Sequence, residues 1–112
     1  MELREPWYEL SGADPARRDA LASELAREIG PSHVLSGLTV EAVARRQDQD
    51  DVLFRIVSES EGEEYAVVHL TWSARTEAQG LPATSLYASL DDFIERCADR
   101  DADEFLAAGK LP

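Results

Sequence analysis

The side chains in this 112-residue sequence best suited to chemistry are two histidines, one cysteine and two acidic clusters. His69 lies in the segment Tyr65-Ala66-Val67-Val68-His69-Leu70-Thr71-Trp72, whose β-branched and aromatic residues predict a strand with the imidazole in its middle. Imidazole titrates near neutral pH and needs hydrogen-bond partners when buried, so His69 is the natural centre of a polar pocket. Arg55 and Tyr65 fall on the same expected sheet face, and Trp72 stands at the strand's exit. The competing reading is a structural histidine whose bonds are satisfied inside the sheet. His33, in the connector Gly30-Pro31-Ser32-His33, is the second candidate, because loops carry binding groups more often than strands do. These five residues, His69, Arg55, Tyr65, His33 and Trp72, form the expected ligand-binding set.

Other chemistries lack a full complement of residues. Asp99, Asp101 and Asp103 have the start of a calcium-loop spacing, but Glu104 replaces the glycine at the bend and Lys110 the closing glutamate. Asp48, Asp50 and Asp51 are expected to pair with Arg45 and Arg46 across a hairpin and to discourage edge association. Cys97 shares a helix face with Phe93 and Ile94, the setting of an inert packing thiol. Ser73 has no nucleophile-elbow sequence around it. The two histidines carry no zinc-ligand spacing, and no phosphate-binding glycine motif occurs. No catalytic residue, metal site or cofactor is therefore assigned.

The elements that must position these residues read as one α+β domain spanning residues 1–112. Asp14 as cap, Pro15 in the first turn and Leu21, Leu25 and Ile29 on one stripe predict an N-terminal helix ending at Gly30-Pro31. Its wet face is expected to carry Arg17, Glu24, Arg27 and Glu28. Residues 38–46, 51–58 and 64–72 predict a three-stranded antiparallel β-meander joined by short loops at 47–50 and 59–64. Val52, Phe54, Ile56, Ala66, Val68, Leu70 and Trp72 fall on one face by parity; Leu53, Arg55, Val57, Tyr65, Val67, His69 and Thr71 fall on the other. Both faces are rather apolar, so the second needs a cover: the C-terminal segment, the Trp7-Tyr8 lead or a second copy of the chain. Residues 73–88 read as a long loop, Ser89 as the cap of a helix through Cys97, and Ala102 to Ala108 as a short last helix.

The composition bounds the partners. Eleven basic residues against 23 acidic ones leave a formal charge of −12, which repels nucleic acid and anionic membrane surfaces and suits a basic protein partner. No apolar run approaches the roughly 20 residues of a membrane span. No signal-peptide pattern opens the chain, and a lone cysteine suits a reducing cytoplasm. Ten arginines to one lysine suit the codon bias of a GC-rich bacterium.

The segments Ala44-Arg45-Arg46, Asp50 to Phe54 and Tyr65 to Ser73, with the Ser-Leu-x-x-Phe-Ile-Glu run at Ser89 to Glu95, resemble those of a group of small uncharacterised bacterial proteins. Ala74 departs from the glycine expected after the tryptophan and serine. The resemblance implies no activity and assigns no functional residue. Three readings follow from the residues themselves. The first is a non-enzymatic cytoplasmic interaction or ligand-binding module, with a homodimer among its candidate forms. The second is a small enzyme with a pocket centred on His69. The third is an acidic immunity-type or antitoxin inhibitor of a basic protein.

Overall fold

The computed structural model describes residues 3–10, 15–57, 64–73, 75–76 and 81–109. The expected cap at Asp14, most of the loop at 59–64, and Ala74 lie outside them.

The β-prone runs form strands, and their short connections make consecutive ones antiparallel neighbours. There are five strands among the described residues where the sequence predicts three. They are β1 (Trp7–Glu9), β2 (Val40–Arg46), β3 (Asp51–Ile56), β4 (Tyr65–His69) and β5 (Thr84–Tyr87), paired antiparallel in the order β1-β2-β3-β4-β5. The expected meander is β2-β3-β4, and the additions are its two edges. Both edge strands have four residues or fewer, too few to display an alternation that sequence reading can separate from a loop.

The helix α1 (Pro15–Glu28) joins β1 to β2 and packs on one sheet face. There Leu21 and Leu25, with Leu10 and Leu35, bury Val52, Phe54, Ile56, Ala66, Val68 and Leu70, the face predicted by parity except for Trp72. The strand does not reach Trp72. It stops at His69, and Trp72 is 44% exposed. Glu24 and Glu28 are not on the wet face of α1 either: they are 1% and 0% exposed.

The second face is covered from within the chain by its C-terminal helices, so no second copy is needed to bury it. A helical stretch runs without a break from Leu90 to Gly109: α2 (Leu90–Phe93), one π-helical turn (Ile94–Ala98) and α3 (Asp99–Gly109). The two separate helices of the sequence reading are one, and Asp99 to Asp103 lies inside it. Ser89 caps the start as expected, its hydroxyl accepting from Asp92 N at 3.1 Å while Asp92 Oδ2 takes Ala88 N at 2.9 Å. Leu53, Val67 and Ala44 pack beneath Phe93, Cys97 and Ala98. Phe93 also ties the two sheet edges together. Its ring meets Trp7 of β1 edge-on at 5.1 Å and Tyr87 of β5 at 5.8 Å.

A bulge at Val43 lets β2 serve both cores. Ala42 pairs with Phe54 and Ala44 with Leu53, so two residues of the same parity bury on opposite faces.

Candidate functional site

The sheet register lines up a transverse polar row at one end of the second face. Trp7 stands opposite Arg46, and Asp51 opposite His69. Arg46 is 8% exposed and is held by two carboxylates. Its Nε and Nη2 donate to both oxygens of Asp48 at 2.8 Å, and its Nη1 lies 3.3 Å from Asp101 Oδ2. The same Asp101 oxygen accepts from Trp7 Nε1 at 2.9 Å and from the Cys97 thiol at 3.4 Å. The hydrogen bond to Asp48, followed by the negative charges of Asp101 and Asp51, outweighs burial and raises Arg46 further above its ordinary value. The Arg46 hydrogen bond in turn lowers Asp48. This row locks β1, β2 and α3 together. Arg45, on the other face, approaches Asp50 only to 4.0 Å and keeps a buried Nε without a hydrogen-bond partner.

His69 ends the row. Its register partner is Asp51, away from the Arg55 expected to share its pocket, and its Nδ1 lies 2.6 Å from Asp51 Oδ1. A carboxylate accepts from Nδ1, which orients the ring and, in its neutral form, leaves Nε2 as an acceptor on a half-exposed side chain. Such an imidazole can act as a base only toward a group placed within reach of it. The hydroxyls that follow it in the chain are turned elsewhere: Thr71 Oγ1 donates to Ser73 Oγ at 3.1 Å, and Ser73 Oγ to Arg75 O at 3.2 Å. Among the described residues no group of three or more His, Cys, Asp or Glu side chains could hold a metal ion.

The five expected ligand-binding residues do not converge. Arg55 is exposed, bonded at 2.8 Å to its cross-strand neighbour Glu41, and four residues along β3 from the Asp51–His69 pair, about 13 Å at the strand rise. Tyr65 is half-buried beside the second core, opposite Arg55 and Tyr87. His33 is tied into the fold from both ring nitrogens. Its Nδ1 accepts from Leu35 N at 3.0 Å, which places the proton of the neutral ring on Nε2, 3.0 Å from Pro82 O and 3.1 Å from Thr84 Oγ1. It pins the α1–β2 connector to the entry of β5.

Trp72 has the most unusual environment. Its φ of 57° is left-handed, a conformation costly for a bulky L-residue. The backbone is held there by α1: Glu28 Oε1 accepts from Thr71 N and Oε2 from Trp72 N, each at 2.9 Å. Glu24, one helical turn before Glu28, accepts from Arg27 Nη2 at 2.9 Å through its Oε1. Burial, then the neighbouring Glu24 carboxyl, raises Glu28 above the ordinary carboxylate range, opposed by the bonds from Thr71 and Trp72. Thr76 Oγ1 reaches Arg27 O at 3.4 Å, so the chain after Trp72 stays on the last turn of the helix.

This buried pair is what sequence reading misses, although the pattern contains it. Glu28 follows Leu21 by seven residues, only about 20° short of two full helical turns, which puts it inside the apolar stripe. The polar nature of Glu obscured its position on the wheel.

No protein-family model matches the chain, and neither a curated protein nor a solved structure is similar to it.

Proposed function

We propose that this chain is a non-enzymatic binding module that meets a basic protein partner through a surface centred on Trp72. The observation that carries this reading is the pairing of exposure with strain. A tryptophan with 44% of its surface open to solvent is kept in a left-handed backbone conformation by a fully buried carboxylate. Strained residues persist where the surrounding structure over-determines them, and they gather at functional sites. Tryptophan is among the commonest anchors of protein interfaces. Two further apolar side chains, Val34 at 54% and Leu81 at 42% exposed, flank the His33–Pro82 contact that joins the connector to the same inter-strand segment.

Charge supports the choice of partner. Arg4, Arg27, Arg46, Arg55 and Arg96 are each paired with a carboxylate of the chain itself, and the formal charge of the chain is −12. Such a charge speeds encounter with a basic protein and repels an acidic one.

The test is a paired capture with immobilised wild type and W72G, the variant that removes the indole while accepting the left-handed backbone. A basic protein retained by the wild type, absent from W72G and released by raised salt supports the reading. Identical retention on both would overturn it.

A further inference from the structure

We propose that the cavity between the first turns of α1 and the start of β2 binds a free aliphatic α-amino acid, its carboxylate on Arg18 and its ammonium on Asp19. The site lies at the end of α1 opposite the Glu28 contact with Trp72, so it stands apart from the protein-contact reading.

The site begins with a strand that outlasts its neighbour. β1 pairs with β2 only as far as Glu9 opposite Ala44, and Leu10 N takes Val43 O, so residues 40–42 have no strand on that side among the described residues. Glu41 pairs with Arg55, and Thr39 O accepts from Val57 N. By alternation Val40 and Ala42 direct their backbone groups the other way, toward the open side. Arg18 covers part of that edge, its Nε donating to Ala42 O at 3.2 Å. The bond fixes a partly buried guanidinium against the strand and leaves Nη1 and Nη2 without a partner among the described residues.

The cavity beside this edge has a volume of about 240 Å³. Its helix wall is Pro15, Arg18, Asp19 and Ala22, the i, i+3, i+4, i+7 set of one face. Pro15 and Ala22 run along the middle of that face, with Arg18 and Asp19 about 100° apart on its flanks. Facing them, Val40 and Ala42 complete an aliphatic lining, and Glu41 is already matched by Arg55 at 2.8 Å. Neither Arg18 nor Asp19 forms an ion pair among the described residues. A guanidinium held at Nε presents its two terminal nitrogens as a fork for a carboxylate, and the Asp19 carboxylate accepts from an ammonium. A ligand with only one of these charges would leave the other wall unmatched; an α-amino acid has both, next to a side chain suited to the lining. The volume is below the roughly 300–1,000 Å³ of pockets for drug-sized ligands, so the occupant is small.

Amide NMR of the whole chain, titrated with L-leucine, L-isoleucine and L-valine, tests the assignment. At least one should give saturable shifts concentrated at residues 16–22 and 40–42. 4-Methylpentanoate and isopentylamine, each lacking one charge of leucine, should bind about tenfold or more weakly. D19N should lose the preference for leucine over 4-methylpentanoate, and R18Q the preference over isopentylamine. The assignment is overturned if none of the three amino acids gives a saturable shift up to about 10 mM, if the shifts fall elsewhere, or if a single-charge analogue matches leucine on the wild type. It is equally overturned by a D19N that keeps the wild-type preference. Should R18Q lose its dispersed spectrum, D19N and the analogues decide, because Asp19 is exposed.

Discussion

Asp101→Ala should be among the most damaging substitutions on the second face, and its cost can be worked from three contacts. Asp101 is 7% exposed and one of its oxygens serves Trp7, Arg46 and Cys97. Removing it orphans the Trp7 indole N–H in a site 1% exposed, a loss of about 1–3 kcal/mol for a buried donor without an acceptor. It also takes from Arg46 the α3 carboxylate that lies 3.3 Å from its Nη1. Arg46 keeps both bonds to Asp48, so the cost stays below the roughly 3–5 kcal/mol of leaving a buried charge alone, at about 1–2 kcal/mol. The thiol is a weak donor and adds little. The sum is about 3 kcal/mol, a large share of the roughly 5–15 kcal/mol that holds a domain together. Urea denaturation followed by circular dichroism would register this as a midpoint lowered by about 1–3 M. Asp101→Asn keeps an oxygen for the indole and should cost roughly half as much. A midpoint for D101A within about 0.5 M of wild type, or an Asn variant as damaged as the Ala one, would refute this reasoning.

Cys97 should resist alkylation in the folded protein and react fully in denaturant, because burial, then the charge of Asp101, pushes its thiol up to about 12. Burial raises the Tyr87 hydroxyl to about 12 as well, from an ordinary 10.0. Both groups are neutral in the fold and ionise more readily in the unfolded chain, so stability measured by urea titration should fall as pH rises from about 9 toward about 12. Cys97→Ala should make that fall shallower. His33→Ala removes the acceptor for Leu35 N and the donor to Pro82 O, and should lower stability by about 1–3 kcal/mol, a melting point lower by roughly 5–15 °C. Arg55→Ala breaks only an exposed cross-strand pair and should leave the melting point unchanged.

What could be read in the sequence was set by local periodicity. The meander β2-β3-β4 and the sorting of Val52, Phe54, Ala66 and Val68 from Leu53 and Val67 follow from strands long enough to alternate. The Ser89 cap was equally legible, because its signature is confined to four residues. The edge strands were not. Trp7–Glu9 and Thr84–Tyr87 are too short to alternate, and the contact of Phe93 with both Trp7 and Tyr87 is a tertiary one. Continuity of the C-terminal helix was hidden by Asp99, Asp101 and Asp103, which read as a polar break until Arg46 and Trp7 supply inward partners for Asp101. Of the expected binding set, Trp72 owes its conformation to a carboxylate 44 residues away, a relation no local pattern encodes.

The strain at Trp72 carries the functional reading, and the relative stability of W72G and W72A tests it most directly. Both variants lose the same indole, so their difference isolates the backbone at φ 57°. At an ordinary position alanine is the more stable by about 0.4–1 kcal/mol; at a left-handed one the order reverses. W72G is expected to exceed W72A by about 1 kcal/mol in urea denaturation. A W72A variant as stable as W72G, or more so, would mean that Trp72 is not held against its preference, and the contact surface built on it would lose its foundation.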